Sequence, residues 1–268
     1  MIEKLFNLPT PMQILSDPAS IIIMIIFFAF MIGEELFPGR PLPDIKFWKI
    51  KGITAFIVYF FLSSYLPLFW NGYMGSYQII NMTTLGDYWG ALVALLIYEL
   101  GVYIWHHSMH KSNLLWRVFH QMHHSAERVD TYGAFFFSPM DMIGFTFLTS
   151  LAMVWISGFT VQATIYAIYG ATFLAVIQHA NIKTPHWMGY IFQRPESHSL
   201  HHAKSVHAFN YSDLPLFDII FGTFRNPKQF ASETGFYDGA SSRIGEMLLF
   251  KDINIEGNKL NSEFTKDD

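Results

Sequence analysis

Two stretches of this chain, residues 52–86 and 142–182, contain not one Asp, Glu, Lys or Arg. A run that long on a soluble protein would leave a wide uncharged surface facing water, whereas in a bilayer it is ordinary. In hydrocarbon every backbone N–H and C=O must be satisfied within the chain itself, which leaves helices or closed barrels. The runs are continuously apolar rather than alternating, so they predict helices. Composition agrees: 51% of residues are hydrophobic and only 14% are charged, against about a quarter in a soluble domain.

Five spans follow. Ala19–Gly33 is a short apolar run closed by Glu34 and Glu35, read as a membrane helix because no basic region precedes it and no small-residue cleavage site follows. Gly52–Trp70 is the second span. Tyr88–Trp105 is the third, with Glu99 in its middle and His106 at its end. The second uncharged stretch is too long for one crossing and predicts a hairpin, Met142–Ile156 and Val161–Gln178, turning near residues 157–160. A four-span variant has a re-entrant hairpin or an interfacial first helix. Apart from Lys4, Lys and Arg fall in 39–51, in 111–139 and after Gln178, while 71–87 holds none. By the positive-inside tendency the three basic regions share the cytosolic side. The fold expected is an all-α polytopic bundle of four to five spans with a cytosolic helical cap. It divides into N-terminal membrane helices (1–87), a catalytic region (88–226) and a polar tail (227–268), loosely ordered after Lys251.

All twelve histidines lie between His106 and His207. They form an H-x-x-x-H (His106, His110), an H-x-x-H-H (His120, His123, His124) and a second H-x-x-H-H (His198, His201, His202). On a helix, positions i, i+3 and i+4 share a face, so each cluster can aim imidazoles at one point. Neutral imidazole is a strong ligand for iron, zinc, copper and nickel. Eight such ligands are too many for one ion and suit two, each with room left for oxygen. With no cysteine in the chain, thiolate ligation and thiol catalysis are excluded. Neighbours such as His123 and His124 point about 100° apart on a helix, so they should serve different ions.

The order of these motifs, with an apolar hairpin before the last, resembles the fatty-acid hydroxylase / sterol desaturase superfamily. The likeness runs from about Tyr88 to Arg225. It takes in Glu99, Gln178-His179-Ala180-Asn181-Ile182, and Asn210-Tyr211 followed by Pro215-Leu216-Phe217-Asp218 and Phe221-Gly222-Thr223-Phe224. His107, Asp130 and Ser138-Pro139-Met140-Asp141 depart from the family pattern, though none is a core ligand. The resemblance implies a membrane oxidoreductase of the monooxygenase type. It would use two iron ions, with zinc an alternative occupant in purified protein. O2 is the co-substrate, and electrons come from a separate cytochrome, ferredoxin or reductase. The substrate would be a lipid such as a fatty acyl chain or sterol, hydroxylated in preference to desaturated at an unactivated C–H bond.

Several residues near the clusters carry further expectations. His179, at the end of the last span, is a candidate ninth ligand. Glu99, on the His106 face, either orients a ligand imidazole or makes an interhelical polar contact. His207 is a candidate for a similar orienting role, and Asp218 for docking the C-terminal segment. His107 and His186 read as structural. No phosphate loop, nucleotide fingerprint or acid–base triad appears, and a net charge of −4 argues against nucleic acid. A membrane metal transporter or sensor would need polar residues along its spans; here the spans offer only Glu99.

Overall fold

The computed structural model describes residues 8–254. The helices are α1 (Pro11–Leu15), α2 (Pro18–Leu36), α3 (Trp48–Tyr65), α4 (Pro67–Ser76), α5 (Gly86–Lys111), α6 (Asn113–Leu115), α7 (Gln121–His124), α8 (Pro139–Ser150), α9 (Val161–His179), α10 (Pro195–His201), α11 (Pro215–Ile220) and α12 (Ile244–Leu248). Among the described residues, five segments are long and apolar enough to cross a membrane: Pro18–Leu36, Trp48–Ser76, Thr83–Lys111, Pro139–Ile156 and Val161–His179. The expected spans are all present, and each runs a little further than hydropathy alone marked. α5 continues past Trp105 to Lys111, so His106 and His110 sit on the spanning helix itself. The expectation for the tail after Lys251 falls, beyond Asn254, outside the described residues.

Local chemistry sets the boundaries. Asp17 caps α2 by accepting from the Ala19 N–H at 2.9 Å, Ser138 caps α8 through the Asp141 N–H at 3.1 Å, and Thr160 caps α9 through the Ala163 N–H at 3.1 Å. Pro18 and Pro139 occupy first-turn positions whose missing N–H costs nothing. The hairpin turns where expected. There Ser157–Gly158 pairs in parallel with Ile80–Asn81, in the register Ile80↔Ser157 and Asn81↔Gly158.

α9 packs along α5, with α2 on α9 and α3 on α8. The core between them is aromatic: Phe27 and Phe56 stack with centroids 3.9 Å apart and Phe135 closes on both. Aromatic pairs of this kind add about 0.5–1.5 kcal/mol beyond the area they bury. At one close approach only glycine fits, because a Cβ on Gly52 would lie 2.2 Å from the Tyr132 carbonyl oxygen. The buried Glu34 carboxylate accepts from the Thr131 N–H, the Thr131 hydroxyl and the Asn181 N–H at 2.8–2.9 Å. α2 thereby holds two connections at the end of the bundle where the histidines gather.

Candidate metal centre

α5 supplies His106 and His110 from one face of a long helix. A π-helical turn, Trp116–His120, leads into α7 and presents His120, His123 and His124; such turns recur at functional sites. α9 ends on His179. α10 carries His198 and His201, with His202 as its C-cap. Buried Arg194 fixes the start of α10, donating to Asn226 Oδ1 at 2.8 Å and the Thr184 carbonyl at 3.0 Å.

These side chains converge as two groups. His106, His110, His120, His124 and His201 form the first; His123, His179, His198 and His202 form the second, with one nitrogen from every member of a group within 4.8 Å of the others. All nine residues proposed from sequence as ligands are brought together. The paired histidines separate as helix geometry requires: His123 and His124 go to different groups, as do His201 and His202. The groups adjoin, since the His124 and His202 rings stack at 4.2 Å between centroids.

The donor set fits metal ions on three counts. First, Nε2 atoms crowd together: His106 to His120 at 2.9 Å, and His179 to His123, His198 to His179 and His202 to His198 at 2.9–3.0 Å. Ligands about 2.1 Å from one ion at right angles stand about 3.0 Å apart. Second, Nε2 of His110, His124 and His201 are buried without a hydrogen-bond partner among the described residues. Such orphaned lone pairs are costly unless something binds them. Third, burial holds His120, His123, His124, His198, His201 and His202 well below the usual imidazole pKa, with neighbouring histidines adding to the effect. All six are therefore neutral and able to ligate.

In the first group the far nitrogen of every ring is engaged. His106 Nδ1 donates to the Tyr211 carbonyl at 2.7 Å and His201 Nδ1 to the Phe209 carbonyl at 2.7 Å. His120 Nδ1 meets Asp141 Oδ2 at 2.8 Å, His124 Nδ1 meets His207 Nδ1 at 3.0 Å, and His110 bonds the His207 backbone. A proton held at Nδ1 leaves the Nε2 lone pair facing inward. Three of these partners come from the stretch 207–211, in which His207, Phe209 and Asn210 all adopt positive φ (39°, 69° and 52°). That conformation strains most side chains but is tolerated by Asn. The Asn210 amide secures it by donating to the Ser197 and Arg225 carbonyls at 2.9 Å.

The remaining candidates are placed as follows. Glu99 touches no histidine. Its Oε2 accepts from the Ser212 hydroxyl and the Asp213 and Leu214 N–H groups at 2.9–3.1 Å. It anchors the loop beside Tyr211 and so acts on His106 at one remove. Asp218 accepts from the Tyr211 and Ser212 N–H groups at 2.8–2.9 Å and steadies the same loop. His107 stacks on Tyr103 and His186 meets the Asn226 carbonyl; both lie outside the two groups. Asp141 was not foreseen as a partner of His120. Its signal was the acidic residue in Ser138-Pro139-Met140-Asp141, legible only once α8 is known to start beside α7.

A cavity of about 60 Å³ lies against the histidines, lined by His106, His120, His123, His179 and His198 together with Tyr59, Phe135 and Asp213. Its neck residues Tyr59, Tyr98, Phe135 and Ala175 also line a larger cavity of about 340 Å³ within the bundle. Asp213 receives a 2.6 Å hydrogen bond from Gln178, and burial pushes its carboxyl up to about 7.

The chain is similar to known proteins over the segment that carries these histidines. The family described as fatty acid hydroxylase matches residues 91–223. The ornithine lipid hydroxylase OlsE of Rhizobium tropici is 27% identical over 140 residues, covering 51% of this chain and 42% of that protein, so the similarity spans less than half the relative's length. No solved structure matches the chain. The matched segment, residues 91–223, contains all nine clustered histidines and the loop that orients them, and over that segment the chain is similar to the fatty acid hydroxylase family.

Proposed function

We propose that the protein is a membrane-bound di-iron oxygenase that hydroxylates an unactivated C–H bond of a lipid. The observation that carries this reading is the pairing of two adjoining all-histidine groups with a small cavity that shares Tyr59, Tyr98, Phe135 and Ala175 with a larger one in the bundle. His106, His110, His120, His124 and His201 would hold one iron, and His123, His179, His198 and His202 the other. Iron in such sites, reduced by two electrons, supplies the activation of O2 that C–H oxidation requires. The balance is one C–H bond, one O2, two electrons and two protons giving one alcohol and one water. The electrons come from a separate reductase, cytochrome or ferredoxin, reached from the cytosolic face, a sidedness that the basic loops support through the positive-inside tendency.

The chain's own residues perform the remaining tasks. The Nδ1 partners keep lone pairs directed inward, and the buried walls, including Phe137 with its ring centroid 4.6 Å from that of His123, keep bulk water from the histidines. Tyr59, Tyr98 and Phe135 form the neck through which a chain passes from the larger cavity. Asp213, whose carboxyl burial raises to about 7, can take up and release a proton near neutral pH beside that neck. Residues 88–226 form the catalytic unit.

Metal analysis of the purified protein, together with lipid profiling of cells with and without the gene, tests the reading. About two iron ions per chain and lipids gaining one oxygen are expected, while lipids losing two hydrogens would redirect it to desaturation. His123→Ala and His201→Ala should each lose metal and at least about 100-fold in activity while still inserting in the membrane. Full activity in either variant would overturn the ligand assignment.

A further inference from the structure

The larger cavity runs nearly the length of the bundle. On α9 its lining extends from Ala175, beside the histidines, to Thr164 near the helix start, about 16 Å at 1.5 Å per residue. The two ends differ in chemistry. At the histidine end the walls are aromatic and apolar. At the far end they include Ser63, Ser64, Asn71 and Thr164.

These hydroxyls have already used their hydrogens. Ser63 and Ser64 donate to the Phe60 carbonyl at 3.0 and 2.7 Å, and Thr164 donates to the Thr160 carbonyl at 3.2 Å. Only lone pairs remain to face the cavity. Asn71 Oδ1, also an acceptor, is buried with no hydrogen-bond partner among the described residues. A buried acceptor left unpaired costs free energy that a donor would recover. Ser63, Ser64, Thr164 and the Asn71 carbonyl thus offer acceptors at the far end, complementary to a hydroxyl or N–H group. The Asn71 amide nitrogen and the Ser20 hydroxyl there can donate in return; a methyl terminus would use none of them.

We infer that the lipid binds with a hydrogen-bond-donating polar group against Asn71 and Ser64, and presents to the histidines a carbon remote from that group. This rests on the lipid-oxidation reading above and adds orientation and regiochemistry to it. The cavity acts as a ruler. A separation of about 16 Å corresponds to about 13 bonds, at the roughly 1.2 Å advance per bond of an extended chain. The substrate class is thus a long-chain alcohol, amine or amide oxidised far along its chain.

Photo-crosslinking of the full chain in lipid nanodiscs tests this. The probes are a sixteen-carbon primary alcohol with a diazirine at either carbon three or carbon fourteen, and the matching sixteen-carbon alkane. The carbon-three label should mark residues 63–71, at the end of α3 and the start of α4, and the carbon-fourteen label Tyr59 and Phe135. Asn71→Leu should lower alcohol labelling about tenfold, the effect of one good hydrogen bond, and leave alkane labelling unchanged. The reverse labelling pattern, or equal loss for both probes with Ser64→Ala also failing to separate them, overturns the inference. Oxygenated product is measured separately by mass spectrometry with a reductant present. Oriented labelling without oxidation would sink the oxygenase reading and leave the binding inference standing.

Discussion

The two histidine groups share helices, burial and ligand type, yet they are held differently. In the first group all five rings have a partner for the nitrogen turned away from the centre. In the second only His179 does, through the Ala175 carbonyl at 2.7 Å; Nδ1 of His123, His198 and His202 has no partner among the described residues. The first group is fixed in tautomer and orientation before any ion arrives. In the second, His123, His198 and His202 are held by packing alone, with no hydrogen bond at Nδ1 to set their tautomer. On the proposed reading, the first group would retain its ion more firmly than the second.

The largest test of that contrast removes a fixed partner. Asp141→Asn should weaken metal binding by the first group about 10–100-fold, the usual loss when a ligand histidine's outer partner is removed. Second-group occupancy should barely change. Iron titration followed by absorption spectroscopy distinguishes the two, and equal weakening of both groups would show that they are one coupled unit. Chelation should separate them without mutation. Under a soluble chelator, one of two ions should leave about tenfold faster, and His202→Ala should abolish that fast phase alone. A single phase for both ions would break the comparison.

Acid should act more gently and on both groups. Because burial depresses the pKa of His120, His123, His124, His198, His201 and His202 below 6.5, the unfolded chain binds more protons than the folded one just below that pH. Stability of the metal-free protein must then rise with pH there, and be lost as pH falls from about 6.5. Thermal unfolding in detergent should show a melting temperature lower by several degrees at pH 5.5 than at pH 7.5. A melting temperature unchanged across that range would mean the imidazoles are not buried as described.

The parts of this arrangement governed by local spacing were legible before the fold. Charge-free runs mark the spans, and the i, i+3, i+4 positions sort His123 from His124 and His201 from His202. His179 was visible because it ends a span. What was hidden depends on contacts distant along the chain. Glu99 meets Ser212 across 113 positions and His106 meets Tyr211 across 105. No spacing rule links a mid-span carboxylate to a loop that lies beyond two further membrane spans. Nor does a motif reveal that backbone carbonyls, rather than side chains, will orient most of the first group.

The positive-φ stretch that supplies those carbonyls also dictates a timetable. His124 and His207 are 83 residues apart, so a ribosome adding about 5–20 residues per second needs roughly 4–16 s to pass from one to the other. Throughout that interval His106, His110 and His124 are already synthesised while the stretch 207–211 that orients them does not yet exist. A metal ion captured then would meet rings of unfixed tautomer, in a set that no later segment has closed. Correct loading is therefore a late event in the life of the chain, and an excess of a tightly binding wrong metal during synthesis should do more harm than the same excess added afterwards.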